Sequence, residues 1–123
     1  MASYDIIPGF EAVYLEDSFV LAVRVVPGEV DFTVDVVLRE THPQYSGPGE
    51  GEQYCYRRGR IRFLRARQVN WRMSSVRAAY DAAGEVDYGG FDQFQADSDL
   101  YVVAGDFGTL EIEAAKCELM LVD

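Results

Sequence analysis

Arginine is the residue type whose number and spacing could support specific chemistry in this chain. Eight of the eleven basic residues lie between Arg57 and Arg77, all eight are arginine, and none of the twenty-one acidic residues lies among them. A planar guanidinium group can hold a carboxylate or a phosphate through two parallel hydrogen bonds. The segment could therefore bind another protein or, with neighbouring aromatic rings as stacking surfaces, single-stranded nucleic acid.

The net charge of the chain argues against nucleic acid as the partner. It is -10 at pH 7, so a polyanion would meet long-range repulsion before it reached the arginines. Within the segment, Ile61 and Phe63 alternate with Arg60 and Arg62, which places both guanidinium groups on one face of a strand. We expect most of the arginines to pair with acids across neighbouring strands. The acids available for this pairing are Glu29, Asp31, Asp35, Glu111 and Glu113.

Binding to another protein is the leading functional hypothesis. The arginine-rich face offers Arg60, Arg62 and Arg65 as contact residues, and an acidic connection further along the chain offers Asp87 and Asp92. An acidic surface keeps a small domain in solution, but it also speeds the encounter with a basic protein and fixes its orientation. The chain is therefore predicted to bind a protein through charged surfaces, with neither nucleic acid nor a membrane as its partner.

No residue pattern indicates catalysis or a metal site. His42 is the only histidine, and the sequence shows no positioned partner that would make it a general base. The acids of segment 81–99 do not follow the alternating spacing of a calcium-binding EF-hand loop. The glycines of segment 47–51 lie beside Glu50 and Glu52, which would oppose a bound phosphate. We expect no catalytic residue, no metal and no cofactor, which makes a non-enzymatic role the leading prediction.

Four aromatic residues define the alternative hypothesis. Tyr54, Tyr56, Trp71 and Tyr101 could line a pocket in the mouth of a β-barrel. On this alternative the chain is a small-ligand-binding protein or an enzyme. Aromatic residues in such a place usually form a packed core, in which case no pocket forms.

The cysteines and the first residues bear on the cellular compartment. Cys55 and Cys117 lie far apart and form no CxxC motif, so two reduced thiols are expected. Residues 1–9 lack the basic and apolar regions of a signal peptide, and no stretch approaches the roughly 20 apolar residues that span a bilayer. The sequence therefore predicts a cytoplasmic protein.

Alternation of apolar and polar residues with a period of two dominates the chain and predicts β-strands. Phe32, Val34, Val36 and Leu38 fall on one face of their segment, and Pro27-Gly28 predicts a turn before it. Glu16-Asp17 and Asp106-Phe107-Gly108 are interpreted as further tight reversals. The predicted fold is mainly β, an antiparallel sandwich or partly open barrel of about 7–9 strands with at most one or two short helices. The predicted strands are 10–15, 19–25, 31–39, 53–64, 68–73, 100–104, 109–114 and 116–122.

The remaining segments are predicted to be helical or irregular. A short helix is expected over Ser74–Ala83, ended by Gly84, and a single helical turn over Phe91–Gln95. The proline- and glycine-rich segment 40–52 is expected to form a long surface loop. No linker composition divides the chain, so residues 1–123 are interpreted as one domain. Exposed edge strands with few lysines make a homodimer a further possibility.

The C-terminal third carries a pattern of acids, glycines and aromatic residues that resembles small bacterial β-proteins without an assigned activity. In outline it is also similar to some immunity proteins, a class of small acidic proteins that neutralise basic toxins. The resemblance implies a β fold, a bacterial setting and an accessory or immunity-like binding role, and it carries no catalytic residues. The residues of the pattern are Asp81, Gly84, Asp87, Gly89, Phe94, Tyr101, the tetrapeptide 105–108 and the alternating segment 110–114.

Overall fold

Antiparallel β-structure accounts for nearly all of the regular elements. The computed structural model describes residues 1–73, 79–80 and 86–122. The chain forms one 7-stranded sheet, in which the strand order is β1-β7-β8-β9-β4-β3-β2, and a 2-stranded sheet of β5 and β6. This confirms the mainly β fold. The strands are β1 (Ala2–Ser3), β2 (Val13–Val26), β3 (Gly28–Leu38), β4 (Tyr56–Arg72), β5 (Ala79–Tyr80), β6 (Val86–Asp87), β7 (Phe91–Asp97), β8 (Leu100–Gly105) and β9 (Gly108–Leu121).

The hairpin of β2 and β3 follows directly from the sequence pattern. Phe32, Val34 and Val36 are fully buried on the inner face of β3, as their alternation with polar residues predicts. The turn lies at Pro27-Gly28, where Gly28 has a φ of +83°, a conformation that side chains with a Cβ rarely adopt. The predicted turn is therefore confirmed.

The reversal predicted at Glu16-Asp17 is wrong, because β2 runs on through both residues as one strand. Its pairing with β3 is irregular between Tyr14 and Phe19, which indicates a bulge rather than a turn. The hydroxyl of Ser18 donates to the Tyr14 carbonyl oxygen at 2.6 Å and accepts from the Val37 amide at 3.0 Å. A buried side chain thus satisfies backbone groups that the bulge removes from the ladder, and the strand continues.

Two other predicted interruptions also lie within long strands, and the first of them coincides with a bulge. Segments 53–64 and 68–73 belong largely to the single strand β4, in which Arg65 has a φ of +52° and the pairing with β9 shifts between Ala66 and Gln68. Segments 109–114 and 116–122 likewise belong to β9. The predicted turn at Asp106-Phe107-Gly108 is confirmed, since Gly105 pairs with Gly108 across it.

The sheet coils around an aromatic core but does not close into a continuous barrel. The ring of Phe32 on β3 lies 6.0 Å from Phe63, 5.9 Å from Phe91 and 5.3 Å from Phe107, measured between ring centroids. These contacts bring the two ends of the sheet face to face. Two backbone hydrogen bonds link β2 to the segment just before β7. The Val20 amide donates to the Gly89 carbonyl oxygen at 2.8 Å, and the Tyr88 amide donates to the Val20 carbonyl oxygen at 2.8 Å. The architecture is a partly open barrel.

Tyr4 bridges the N-terminal segment and β2. Its hydroxyl accepts from the Leu15 amide at 3.2 Å and donates to a carboxylate oxygen of Glu16 at 2.5 Å. The ring is buried and packs edge-on against Phe94 at 6.1 Å. Burial, and then the Glu16 carboxylate, raise the pKa of Tyr4 to about 12. Because the Tyr4 hydroxyl accepts the hydrogen bond of the Leu15 amide, it takes the place of the carbonyl oxygen that a neighbouring strand would otherwise provide.

The helix predictions have two different outcomes. Most of the predicted helix Ser74–Ala83 lies outside the described residues, and its described part, Ala79–Tyr80, is strand β5. The predicted turn at Phe91–Gln95 is wrong, because those residues form most of β7 and pair with β8. Within residues 1–73, 79–80 and 86–122, the only helical element is a 3-10 turn at Tyr4–Ile6. Segment 40–52 forms the irregular loop that its glycines and prolines predict.

Candidate functional site

The arginines of β4 lie on the outer face of the sheet, because the residues between them face the core. Gly59, Ile61 and Phe63 are buried, which turns Arg58, Arg60 and Arg62 outwards. The acids of β3 run beside them in an antiparallel register. The closest nitrogen–oxygen distances are 2.7 Å for Arg58–Asp35, 2.9 Å for Arg60–Asp31 and 2.9 Å for Arg62–Glu29.

Asp31 is the centre of this charged cluster. Asp31 is only 3% exposed. One of its carboxylate oxygens lies 3.5 Å from a nitrogen of Arg24 and 2.9 Å from a nitrogen of Arg60. The other oxygen lies 3.7 Å from Nε of Arg62. Burial, and then a hydrogen bond and repulsion from the Glu29 carboxylate, raise the pKa of Asp31. The hydrogen bond with Asp31, together with Arg62, lowers the pKa of Glu29. Of the two carboxyl groups, Asp31 is therefore the one that takes up a proton first as the pH falls.

Replacing Asp31 with asparagine should change the pH dependence of stability. A raised pKa in the folded state contributes stability at low pH, and that contribution is lost as the pH rises through the folded-state pKa. Asparagine resembles the protonated acid and does not titrate. We therefore compare the melting temperature of Asp31→Asn with that of the wild type. The difference, variant minus wild type, is expected to increase as the pH rises from about 3, below the ordinary pKa range of an aspartate, to about 7.

Thermal unfolding followed by circular dichroism across this pH range measures the effect. Asp35→Asn is the control, because it also removes a carboxylate from an arginine pair on the same strand, but at a more exposed position. A difference between Asp31→Asn and the wild type that stays constant with pH, or that Asp35→Asn reproduces, would contradict the prediction.

Two further arginines of β4, Arg67 and Arg72, also pair with acids across strands. Arg67 lies 3.0 Å from Asp99 and 3.1 Å from Glu113, and Arg72 lies 2.9 Å from Glu111. All five acids named as available partners therefore take part, which confirms the predicted internal pairing. Arg65 is exposed at the bulge and forms no ion pair among the described residues. Of the three proposed contact arginines, the structure brings Arg60 and Arg62 together and leaves Arg65 apart.

The two candidate acids lie close in sequence but have different surroundings. Asp87 ends β6, and its carboxylate accepts a hydrogen bond of 2.8 Å from the Gly89 amide, so it stabilises the turn into β7. Asp92 is exposed on β7 and lines a small cavity of about 190 Å³ together with Glu16. Both carboxylates remain candidates for contact with a partner.

The four aromatic candidates are divided among different concavities. Tyr54 and Tyr56 pack edge to face with ring centroids 6.1 Å apart. Trp71 lies elsewhere, where its indole nitrogen donates to the Phe107 carbonyl oxygen at 2.9 Å. Tyr101 is buried, and its ring lies 5.2 Å from that of Phe63. The structure therefore brings together only the first pair, and Tyr54, Trp71 and Tyr101 line three different cavities.

A different concavity combines tyrosine rings with carboxylates. It has a volume of about 810 Å³ and lies where the start of β2, the end of β3 and the segment 40–55 meet. Its floor includes the buried residues Val37, Leu38 and Cys55. We call it the acidic tyrosine groove, and the lining residues that matter here are Glu11, Tyr14, Asp17, Glu40, Tyr45 and Tyr54.

The groove has an excess of negative charge. Its one basic lining residue is Arg39, whose Nε donates to the Val13 carbonyl oxygen at 3.0 Å and whose guanidinium carbon lies 3.9 Å from the centre of the Tyr14 ring. Glu11, Asp17 and Glu40 form no ion pair within the described part of the chain. The groove is therefore suited to a cation.

The neighbouring Tyr56 is also influenced by the negative charge around the groove. Burial raises its pKa first, and Tyr54, Asp17 and Glu52 raise it further through charge repulsion. Acids from β2 and from the long loop therefore act on one place. Sequence reasoning identified Tyr54 and Tyr56 but missed Tyr14, Tyr45 and the three carboxylates, because these residues come from separate segments and follow no spacing motif.

The described residues offer little for covalent or metal chemistry. No group of three or more histidine, cysteine or acidic side chains within them is placed to hold a metal ion. Both cysteines are buried free thiols, and burial raises the pKa of Cys117 above its usual range.

Comparisons with family models, with curated proteins and with solved structures each find no match to this chain. Among the described residues, no helix has the length and apolar character needed to cross a membrane.

Proposed function

We propose that this protein is a non-catalytic binding domain that captures a basic protein partner through its acidic surface. The observation that carries the proposal is the internal neutralisation of β4. Arg58, Arg60, Arg62, Arg67 and Arg72 each lie within 3.1 Å of an acid on a neighbouring strand. Because the main concentration of positive charge is used within the fold, the net charge of -10 falls mostly on the remaining surface.

An acidic surface of this kind favours a basic protein in two ways. Opposite charge speeds the encounter, and the positions of individual charges fix the orientation of the complex. The resemblance of the C-terminal third adds a bacterial and immunity-like setting to the proposal, and we place the domain in the cytoplasm, as its first residues and cysteines predict. In that setting the domain would act as an accessory protein that covers the basic surface of its partner.

Reversing the charge of two acids tests the proposal. The double variant Asp87→Lys with Asp92→Lys is expected to reduce capture of a basic partner by about tenfold or more, because like charges then face each other. Affinity purification of the tagged protein, with mass spectrometry to identify and quantify the captured proteins, measures this loss. Circular dichroism checks that the fold survives.

A control variant with the same net charge separates local contact from overall attraction. Asp5→Lys with Glu50→Lys changes two exposed acids in the 3-10 turn and the long loop. A smaller loss in this control assigns the contact to the surface around Asp87 and Asp92. Capture that is unchanged in both variants, or captured proteins that are not basic, would overturn the proposal.

A further inference from the structure

We infer that the acidic tyrosine groove receives an arginine side chain of the basic partner, which stacks on tyrosine rings and pairs with carboxylates. The inference rests on the proposed function and deepens it, because it names the group that is recognised and the place that recognises it.

The shape and depth of the groove allow it to hold a side chain. Its volume of about 810 Å³ falls within the range of ligand pockets. The floor is apolar and buried, and the carboxylates stand at exposed positions around it, on Glu11, Asp17 and Glu40. An apolar floor with acids at the rim matches an arginine, whose aliphatic stem is apolar and whose charge lies at its end.

The groove already contains one example of the proposed contact. The guanidinium carbon of Arg39 lies 3.9 Å from the centre of the Tyr14 ring, a distance at which the cation is attracted to the ring face. Among the described residues, no cation lies over the ring of Tyr45 or Tyr54 in the same way. Both side chains are partly exposed, so a guanidinium group from outside the chain can reach them.

The chemistry of the groove favours arginine over lysine. A guanidinium group is planar, stacks on aromatic faces and binds a carboxylate through two donors, whereas an ammonium group is a compact and strongly hydrated charge. Carboxylates alone would attract either residue. The tyrosine faces are what predict a preference.

Two synthetic peptides provide the probe. Both carry a fluorescent label and four basic residues separated by glycine and serine, and they differ only in having arginine or lysine at those positions. Fluorescence anisotropy with the full chain at low salt gives the dissociation constant of each. The arginine peptide is expected to bind about twofold to fivefold more tightly, the range for an exposed cation on a tyrosine ring.

Matched variants locate the binding. Tyr54→Ala is expected to weaken binding of the arginine peptide about twofold to fivefold and to remove most of the preference over lysine, whereas Tyr54→Phe keeps the ring and the preference. Glu40→Gln is expected to weaken both peptides. Asp97→Asn is the control, because it neutralises an exposed acid on β7 that does not line the groove.

The outcomes separate this inference from the proposed function. The inference would be overturned if the two peptides bound equally well and Asp97→Asn weakened binding as much as Glu40→Gln. The proposed capture of basic partners through the acidic surface would still stand. Failure of both peptides to bind would also overturn the inference about the groove. The proposed function would then be tested by the charge-reversal experiment alone. Selective loss in Tyr54→Ala and Glu40→Gln, with circular dichroism unchanged, supports the inference.

Discussion

Phe32→Ala is expected to lower the free energy of unfolding by about 3–5 kcal/mol, the usual cost of removing a buried aromatic ring. The ring of Phe32 is fully buried and contacts Phe63 on β4, Phe91 on β7 and Phe107 in the turn between β8 and β9. It therefore joins the two ends of the coiled sheet. Because total stability is typically about 5–15 kcal/mol, the loss would be a large part of the whole.

Phe19→Ala is the matched control for this prediction. Phe19 is 39% exposed on β2, and its main aromatic contact is with Tyr56, at 5.8 Å between ring centroids. Its loss should cost about 1 kcal/mol, in line with a single partly exposed aromatic pair. Urea unfolding followed by circular dichroism gives both values. If Phe32→Ala cost no more than Phe19→Ala, the aromatic core would not be what holds the two ends of the sheet together.

The strands could be predicted because alternation is a local signal. Whether a residue such as Val34 faces inward depends only on its neighbours in the chain, and the structure buries it as expected. The continuity of β2 could not be predicted in this way. It depends on the contact of Ser18 with the Val37 amide, nineteen residues away, which lets Glu16-Asp17 form a bulge rather than a turn.

For the candidate sites, too, contacts between adjacent strands could be predicted, whereas contacts between separate segments could not. The pairing of Arg58 with Asp35 and of Arg62 with Glu29 was predictable, because opposite charges on adjacent strands of one sheet meet across the ladder. The acidic tyrosine groove was not. Its lining comes from β2, β3 and the loop 40–55, and the sequence does not show how that loop folds against the sheet.

The turn between β8 and β9 shows how one residue without a side chain permits close packing of the backbone. Gly108→Ala is expected to cost about 3 kcal/mol, the upper end of the range for strained backbone positions. Gly108 has a φ of +108°, and an added Cβ would lie 2.5 Å from the Arg72 carbonyl oxygen and 3.0 Å from the indole nitrogen of Trp71. Two penalties therefore act together, an unfavourable backbone conformation and an overlap with the backbone of β4.

Gly28→Ala isolates the first of these penalties. Gly28 also has a positive φ, +83°, but an added Cβ there would have no other atom within 4 Å. This variant should lose only about 1–2 kcal/mol, the cost of a left-handed conformation with a side chain. Since Trp71 donates its hydrogen bond to Phe107 beside the turn, Gly108→Ala should also change the tryptophan fluorescence of the folded protein, while Gly28→Ala should not. Equal losses of stability in the two variants would show that the close approach of Arg72 to the turn contributes nothing, and an unchanged tryptophan spectrum in Gly108→Ala would show that the turn tolerates the new methyl group without moving.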